Sequence, residues 1–280
     1  MSEQRLIIVS NRGPAQFELS ESGERTVRRG GGGLVTALSG LVRQRQALWI
    51  ASAMTEEDAV VAREANGPVT VELDGVSYEV LLVESDPWAY DRFYNVIANP
   101  ILWFIQHYLW DLSNAPDIRR EEIQAWDEGY QVVNADIAEA VLRTIAGEEE
   151  PLVMLHDYHL YTCPALIRQE RPDAFLQHFV HIPWSQPDSW RILPARIREQ
   201  IYRGLLANDI IGFHTTAYCR NFLHCCNELM ELEVDYERGA VLHEGRETWV
   251  RAYPLAIDAE RLERAAASEE VAQYERELLR

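Results

Sequence analysis

Short apolar runs recur along this chain, with helical patterns between them, and that alternation limits the fold more than any other feature. The runs are RLIIVS (5–10), LWIA (48–51), YEVLLV (78–83), PLVMLHD (151–157), FLQHFVHI (175–182) and NDIIGFH (208–214). The last three are apolar enough to be buried on both faces, as strands of a parallel sheet are. Between the runs, residues 34–46 place Leu34, Leu38, Leu41 and Val42 on one helical face. Residues 134–146 do the same with Ile137, Val141 and Ile145, and residues 217–231 with Tyr218, Phe222, Cys225 and Leu229. Strands alternating with helices predict an α/β fold: a Rossmann-like, doubly wound, mostly parallel sheet with helices on both faces.

The chain of 280 residues is long enough for one large domain or two small ones with a substantial core. At 47% hydrophobic and 25% charged residues it is not a disordered chain. Segment 55–77 is polar and reads as a surface hairpin or helix, and Gly147 to Pro151 as a solvated turn. After Ile257 the sequence becomes charged helix with no strand after it, as though a further segment were to follow.

With 26 basic against 45 acidic side chains, the net charge is −19. Nucleic acid is therefore not the expected partner, because a phosphate backbone calls for clustered Lys and Arg. A small phosphorylated ligand remains compatible, since a local arginine and a helix N-terminus make a positive pocket on an acidic protein. No stretch reaches the ~18 apolar residues of a membrane span, and the start lacks a signal-peptide pattern. Cys163, Cys219, Cys225 and Cys226 have no disulfide-framework spacing, so a reducing, cytoplasmic setting is expected.

Three strand ends carry polar groups. Ser10-Asn11-Arg12 closes the first run, and Gly30 to Gly33 opens the helix that follows. Glycines let a backbone approach a phosphate, and Arg12 offers a forked, permanent charge. A flexible surface turn explains the same glycines. His156-Asp157-Tyr158-His159 follows PLVML, and His181-Ile182-Pro183-Trp184 follows FLQHFV. In an open α/β sheet, ligands bind beyond the strand carboxyl ends. Asp157 there accepts bonds from sugar hydroxyls, and His181 donates one or stabilises charge; structural histidines are the plainer alternative.

His156/His159 and His178/His181 both have H-x-x-H spacing. On a continuing strand, His178 and His181 point to opposite faces, which does not suit a shared metal. No metal site is expected. The aromatic segment Tyr94-Asn95, Trp103, His107, Tyr108 and Trp110, with Trp126 and Tyr130 beyond, suits sugar rings or a plain aromatic core. Trp103 and His107, four apart, share a helix face.

Six stretches together, SNRGP, GGGGLV, YNVIANPILWFIQHY, HDYHL, HFVHIPW and GLLANDIIGFHT, resemble the trehalose-6-phosphate synthase family of retaining GT-B glycosyltransferases, family 20. The resemblance spans about residues 5–258. It implies the N-terminal half of a GT-B fold, in which two Rossmann-like domains face a cleft. Residues 1–257 are then the acceptor-binding domain, and 258–280 begin the linker toward a C-terminal donor domain absent here.

The activity the resemblance implies is transfer of glucose from UDP-glucose or GDP-glucose to glucose 6-phosphate. Configuration is retained, the product is α,α-trehalose 6-phosphate, and neither cofactor nor metal is required. Arg12 matches the arginine that grips the acceptor phosphate. Tyr94 and Trp103 match an acceptor-binding pair, and Asp157 a carboxylate on the acceptor sugar. His181 matches the histidine beside the transferred glucose, and Gly32 and Gly33 the loop that approaches the donor diphosphate. His181 and Asp157 are the catalytic candidates. The donor is held by the second domain, so this half is expected to be inactive alone.

The family pattern L-W-x-G-W stands here as Leu48-Trp49-Ile50-Ala51-Ser52, without the second tryptophan, and HIPW-SQPD replaces the commoner HIPFP segment. A different phosphorylated acceptor, including a cyclitol phosphate, is therefore an alternative. A non-catalytic sugar-phosphate-binding module is another. Exposed interdomain apolar surface also admits a homo-oligomer.

Overall fold

The computed structural model describes residues 5–31, 33–44, 47–73, 75–111, 117–255 and 259–279. The first half of the chain forms β1 (Leu6–Ser10), β2 (Ala15–Leu19), β3 (Arg25–Arg29), β4 (Ala47–Ser52), β5 (Val69–Leu73) and β6 (Val76–Val83). The second half forms β7 (Leu152–His156), β8 (Phe175–Val180), β9 (Ile210–Phe213), β10 (Glu233–Asp235), β11 (Ala240–His243) and β12 (Arg246–Ala252). β2 and β3 make a separate hairpin; the others form one sheet in the order β10-β11-β12-β9-β8-β7-β1-β4-β6-β5.

From β6 to β12 every neighbouring pair is parallel, and the antiparallel pairings lie at the two edges. The chain winds outward from β1 through β4 to β6, then returns to β7 and winds the other way. The order therefore reverses between β1 and β7, where Val9 pairs Ile50 on one side and Leu155 on the other. That reversal is the switch point at which a doubly wound sheet opens a crevice.

Burial explains why these strands stay central. All five residues of β1 are buried. Leu6 and Ile8 enter one core with Val35, Leu38 and Trp49, while Ile7 and Val9 enter the other with Phe93, Ile97 and Val133. Period-two alternation thus feeds both faces from one strand. The predicted apolar helices are present at Gly33–Gln44, Gln131–Thr144 and Thr216–Met230.

Segment 55–77 contains both predicted forms, a helix Glu56–Ala65 and then β5 leading into β6. Thr55 caps the helix, its side chain accepting from Asp58 N while the Asp58 side chain returns a bond to the cap backbone. Asp58 Oδ1 also accepts the Phe17 N–H at 2.7 Å, tying the β2–β3 hairpin to the helix. Past the last strand, charged helices run over Ala259–Ala266 and Glu269–Leu278. Ile257, where the sequence sets the domain boundary, lies outside the described residues. Among the described residues, no helix is long and apolar enough to cross a membrane. All four cysteines are free and buried.

Candidate active site

The end of β1 is held from its neighbours. Trp49 Nε1 donates to Ser10 Oγ at 2.7 Å, and Ser10 Oγ donates to the Arg12 carbonyl at 2.8 Å. The Ser52 N–H donates to the Asn11 carbonyl at 3.1 Å, and the Tyr90 hydroxyl to Asn11 Oδ1 at 3.1 Å. The glycine run folds back onto this corner. Gly30 N–H donates to the Pro14 carbonyl at 2.7 Å, and a Cβ on Gly30 would stand 2.1 Å from the Gly13 carbonyl oxygen. A Cβ on Gly31 would meet Arg12 Nη1 at 3.4 Å. Among the described residues, no carboxylate forms an ion pair with Arg12.

The ends of β7 and β8 are laced at Asp157. Its N–H donates to the Phe179 carbonyl at 2.7 Å, and its carbonyl accepts from His178 Nε2 at 3.0 Å. Its Oδ1 accepts the His181 N–H at 3.2 Å. Asp157 sits at φ 72, ψ 174, a region that only glycine enters freely. Such strain is concentrated at functional sites. His156 Nδ1 lies 3.1 Å from His181 Nε2. The His181 ring packs 4.5 Å from Phe179 and 5.6 Å from His214.

β8 ends at Val180, so the alternation rule does not extend to His181. His178 bonds to the Asp157 carbonyl through its ring and His181 to Asp157 Oδ1 through its backbone N–H. Among the described residues, no group of three or more His, Cys, Asp and Glu side chains is disposed to hold a metal ion.

A third wall joins these corners. Tyr94 stacks on His159 at 5.8 Å and on Tyr90 at 6.0 Å. Tyr158 lies 4.0 Å from His159, and its hydroxyl donates to Asn99 Oδ1 at 2.7 Å. Arg12 is close enough to disfavour protonation of His159. The Tyr158–Leu160 turn is fixed from beneath: the Tyr130 hydroxyl donates to the Tyr158 carbonyl at 2.6 Å, and Asn134 Nδ2 to the His159 carbonyl at 2.9 Å. A Cβ on Gly204 would stand 1.9 Å from the Tyr161 carbonyl oxygen, so the helix below approaches this turn only through glycine. Trp126 and Tyr130 are buried and stacked at 4.3 Å, the plain-core alternative, yet Tyr130 also seats the site.

Tyr94 and Trp103 lie on one π-type helix, Arg92–Trp103, with Pro100 inside it. Nine residues make about two turns of such a helix, at roughly 4.4 residues per turn, but two and a half of an α-helix. The wide helix therefore sets the two positions near one side, although no ring contact joins Tyr94 and Trp103 among the described residues. Trp103 stacks on His107 at 3.9 Å, as their spacing predicts. Among the described residues, no ring contact joins Trp103 to Arg12, Asp157 or His181. Gly33 opens the helix Gly33–Gln44 and is exposed, with no atom within 4 Å of an added Cβ. Gly32 lies outside the described residues.

Burial sets the charge state of this wall. It pushes His156 well below the usual histidine range, His159 and His181 down to about 3, and His178 down to about 4. Arg12 adds to the effect on His159, and His214 and His178 to that on His181. The same burial raises the Asp157 carboxyl to about 7, against the pull of the His181 and Tyr158 backbone N–H groups. At neutral pH the wall holds neutral histidines around a carboxyl near half-ionisation, with the Arg12 charge close to His159.

Sequence reasoning gave Tyr90, Asn99 and His214 no role of their own, and read Trp49 only as part of its strand and of the Leu48–Ser52 pattern. Beside Tyr94, a cavity of about 680 Å³ opens between Ala53, Met54, Thr55, Tyr90 and Asp91. Ser52 precedes it in the chain, 3% exposed, with no hydrogen-bond partner for its hydroxyl among the described residues.

The family model of glycosyltransferase family 20 matches residues 4–280. The chain belongs to that family. It is 36% identical over 209 residues to a validamine 7-phosphate valienyltransferase of Streptomyces hygroscopicus subsp. jinggangensis, covering 74% of this chain and 42% of that protein. It is 32% identical over 274 residues to an alpha,alpha-trehalose-phosphate synthase (UDP-forming) of Aspergillus niger, covering 96% of this chain and 50% of the relative. The chain spans about half the length of the curated relatives it matches.

Among solved structures it resembles the N-terminal domain of Candida albicans trehalose-6-phosphate phosphatase (TM-score 0.75, 24% identity, 98% of this chain and 53% of that one). It equally resembles the E. coli structure described as trehalose-6-phosphate bound with UDP-2-fluoro glucose (TM-score 0.74, 24% identity, 98% and 54%). At that identity the likeness establishes the fold, the doubly wound half of a GT-B architecture.

Proposed function

We propose that this chain carries the acceptor side of a glucosyltransferase acting on glucose 6-phosphate, with UDP-glucose or GDP-glucose as donor and α,α-trehalose 6-phosphate as product. The observation that carries this reading is Arg12: a guanidinium with no carboxylate partner among the described residues, at the sheet's switch point, close to the His159 ring on which Tyr94 stacks. An unpaired cation beside neutral rings calls for an anionic ligand with an apolar face and hydroxyls. The likeness to the Aspergillus niger synthase supports glucose 6-phosphate as that ligand.

In this reading Arg12 holds the acceptor phosphate, Tyr94 and Trp103 flank the sugar, and Asp157 accepts from a sugar hydroxyl. His181, with Gly32 and Gly33, faces the donor. The bond from the glucose anomeric carbon to the diphosphate breaks. The acceptor's anomeric hydroxyl oxygen bonds to that carbon on the same face, and its proton passes to the leaving phosphate. Positioning and charge stabilisation do the work, and no protein nucleophile or metal is required. A reducing, cytoplasmic setting goes with the free thiols.

Calorimetric titration with glucose 6-phosphate, with glucose and inorganic phosphate as controls, tests this. Binding should weaken by roughly ten- to a hundredfold in Arg12→Ala, the usual worth of a charge-assisted bond. Binding indifferent to Arg12 would overturn the assignment. Residues 1–280 by themselves should bind acceptor without transferring glucose; transfer by the purified chain would refute that half.

Ser52 favours a second reading. The buried Ser52 hydroxyl has no partner among the described residues, it stands where the family pattern has its second tryptophan, and a cavity opens beside Tyr94 from the next residue, Ala53. A relative named for validamine 7-phosphate matches at 36% identity. A cyclitol phosphate that binds more tightly than glucose 6-phosphate, with the order reversed in Ser52→Trp, would establish it.

A further inference from the structure

We propose that His156 is a positioning residue that fixes His181 as the tautomer protonated at Nδ1. The two rings meet through His156 Nδ1 and His181 Nε2, 3.1 Å apart. Burial keeps both neutral, so each ring carries one proton and one of the two must donate across this contact.

The rest of His156 decides which. The residue is 2% exposed, and its Nε2 is buried without a partner among the described residues. If His181 donated, the His156 proton would sit on Nε2, a buried N–H with no acceptor. If His156 donates, only a bare lone pair is left there. A buried donor without an acceptor is the rarer and costlier defect. His156 therefore carries its proton on Nδ1 and gives it to His181 Nε2.

His178, on the adjacent strand, follows the same rule. Its Nε2 faces the Asp157 carbonyl, which can only accept, and its buried Nδ1 is the nitrogen without a partner. Both buried rings thus place their single proton where an acceptor stands.

With Nε2 occupied, the His181 proton lies on Nδ1, the minor form of free histidine, on a ring that is partly exposed while His156 is not. The accessible edge of His181 is then a donor and not a base. The bearing of this on catalysis rests on the function proposed above: His181 donates to an oxygen of the transferred sugar and leaves the acceptor proton to the departing phosphate. The tautomer itself does not depend on that reading.

Nitrogen-15 spectra of the histidine rings of this chain at pH 7.5 test the assignment, with His181→Asn identifying the resonance. His181 should show a protonated Nδ1 and an unprotonated Nε2. In His156→Phe, which removes the donor, the proton should move to Nε2. In His156→Asn, whose amide N–H stands near the lost Nδ1–H, it should stay on Nδ1. A wild-type His181 protonated at Nε2 overturns the proposal, as does a His156→Phe spectrum unchanged from wild type. Should His156→Phe not fold, the wild-type and His156→Asn spectra decide. Titration of the wild-type sample with glucose 6-phosphate separates the two claims: no binding beside the expected tautomer counts against the function and leaves this assignment standing.

Discussion

Asp157 Oδ1 accepts the backbone N–H of His181 at 3.2 Å, so the carboxyl that ends β7 is aimed at the residue just past β8. The same residue holds φ 72, ψ 174, a conformation costing on the order of 1–3 kcal/mol in a non-glycine residue. The bonds to Phe179 and His178 keep it there. A strained, half-buried acid at the switch point is maintained by its surroundings against its own preference.

That acid should make stability fall with rising pH. Its folded-state pKa, near 7, stands above the unfolded value. The folded form therefore holds the proton more tightly, and its contribution, complete below about pH 4, is lost as pH rises through about 7. Asp157→Asn keeps the oxygen that accepts from His181 but cannot ionise. The variant should gain on wild type in thermal midpoint from pH 5 to pH 8. A difference that stays flat across that range would mean the carboxyl is already ionised at pH 5.

The histidines act in the opposite direction. His156, His159, His178 and His181 all have folded-state pKa values depressed below the unfolded value near 6.5. Their contribution is present above pH 6.5 and is lost as pH falls toward 4, because unfolding then takes up protons. Asp157, protonated in the fold and ionised when unfolded, releases one over the same interval. Near pH 5 this cluster should take up a net of about three protons on unfolding. Urea midpoints measured from pH 7.5 to 5 should drop accordingly, and replacing His178 by Gln should reduce the slope by about one proton.

Much of this architecture was legible because its strands are apolar throughout. β1, β7 and β8 needed only their buried runs to be read, and their carboxyl ends then named Arg12, Asp157 and His181. β3, all exposed with three arginines in five residues, gave no such signal, nor did the polar β10 to β12 arm. Tyr94 and Trp103 were named only through the family resemblance, because nine residues fall on opposite sides of an α-helix and periodicity would have separated them; the wide helix sets them nearer one side. Tyr90 and Asn99 belong to the site through long-range hydrogen bonds, to Asn11 and from Tyr158, that no local pattern encodes.

Trp49 shows how a core residue reaches Arg12. It is 1% exposed, and its Nε1 donates to Ser10 Oγ, which donates to the Arg12 carbonyl. Trp49→Phe removes the first bond of that relay and some packing, at a cost of about 1–3 kcal/mol. Trp190 is equally buried, but its indole N–H has no partner among the described residues. Trp190→Phe should therefore destabilise by packing alone. Both variants should lower the unfolding midpoint, and only Trp49→Phe should also weaken glucose 6-phosphate binding several-fold. Equal binding in the two would show that Arg12 is held by its own backbone and glycine contacts, independently of the tryptophan behind it.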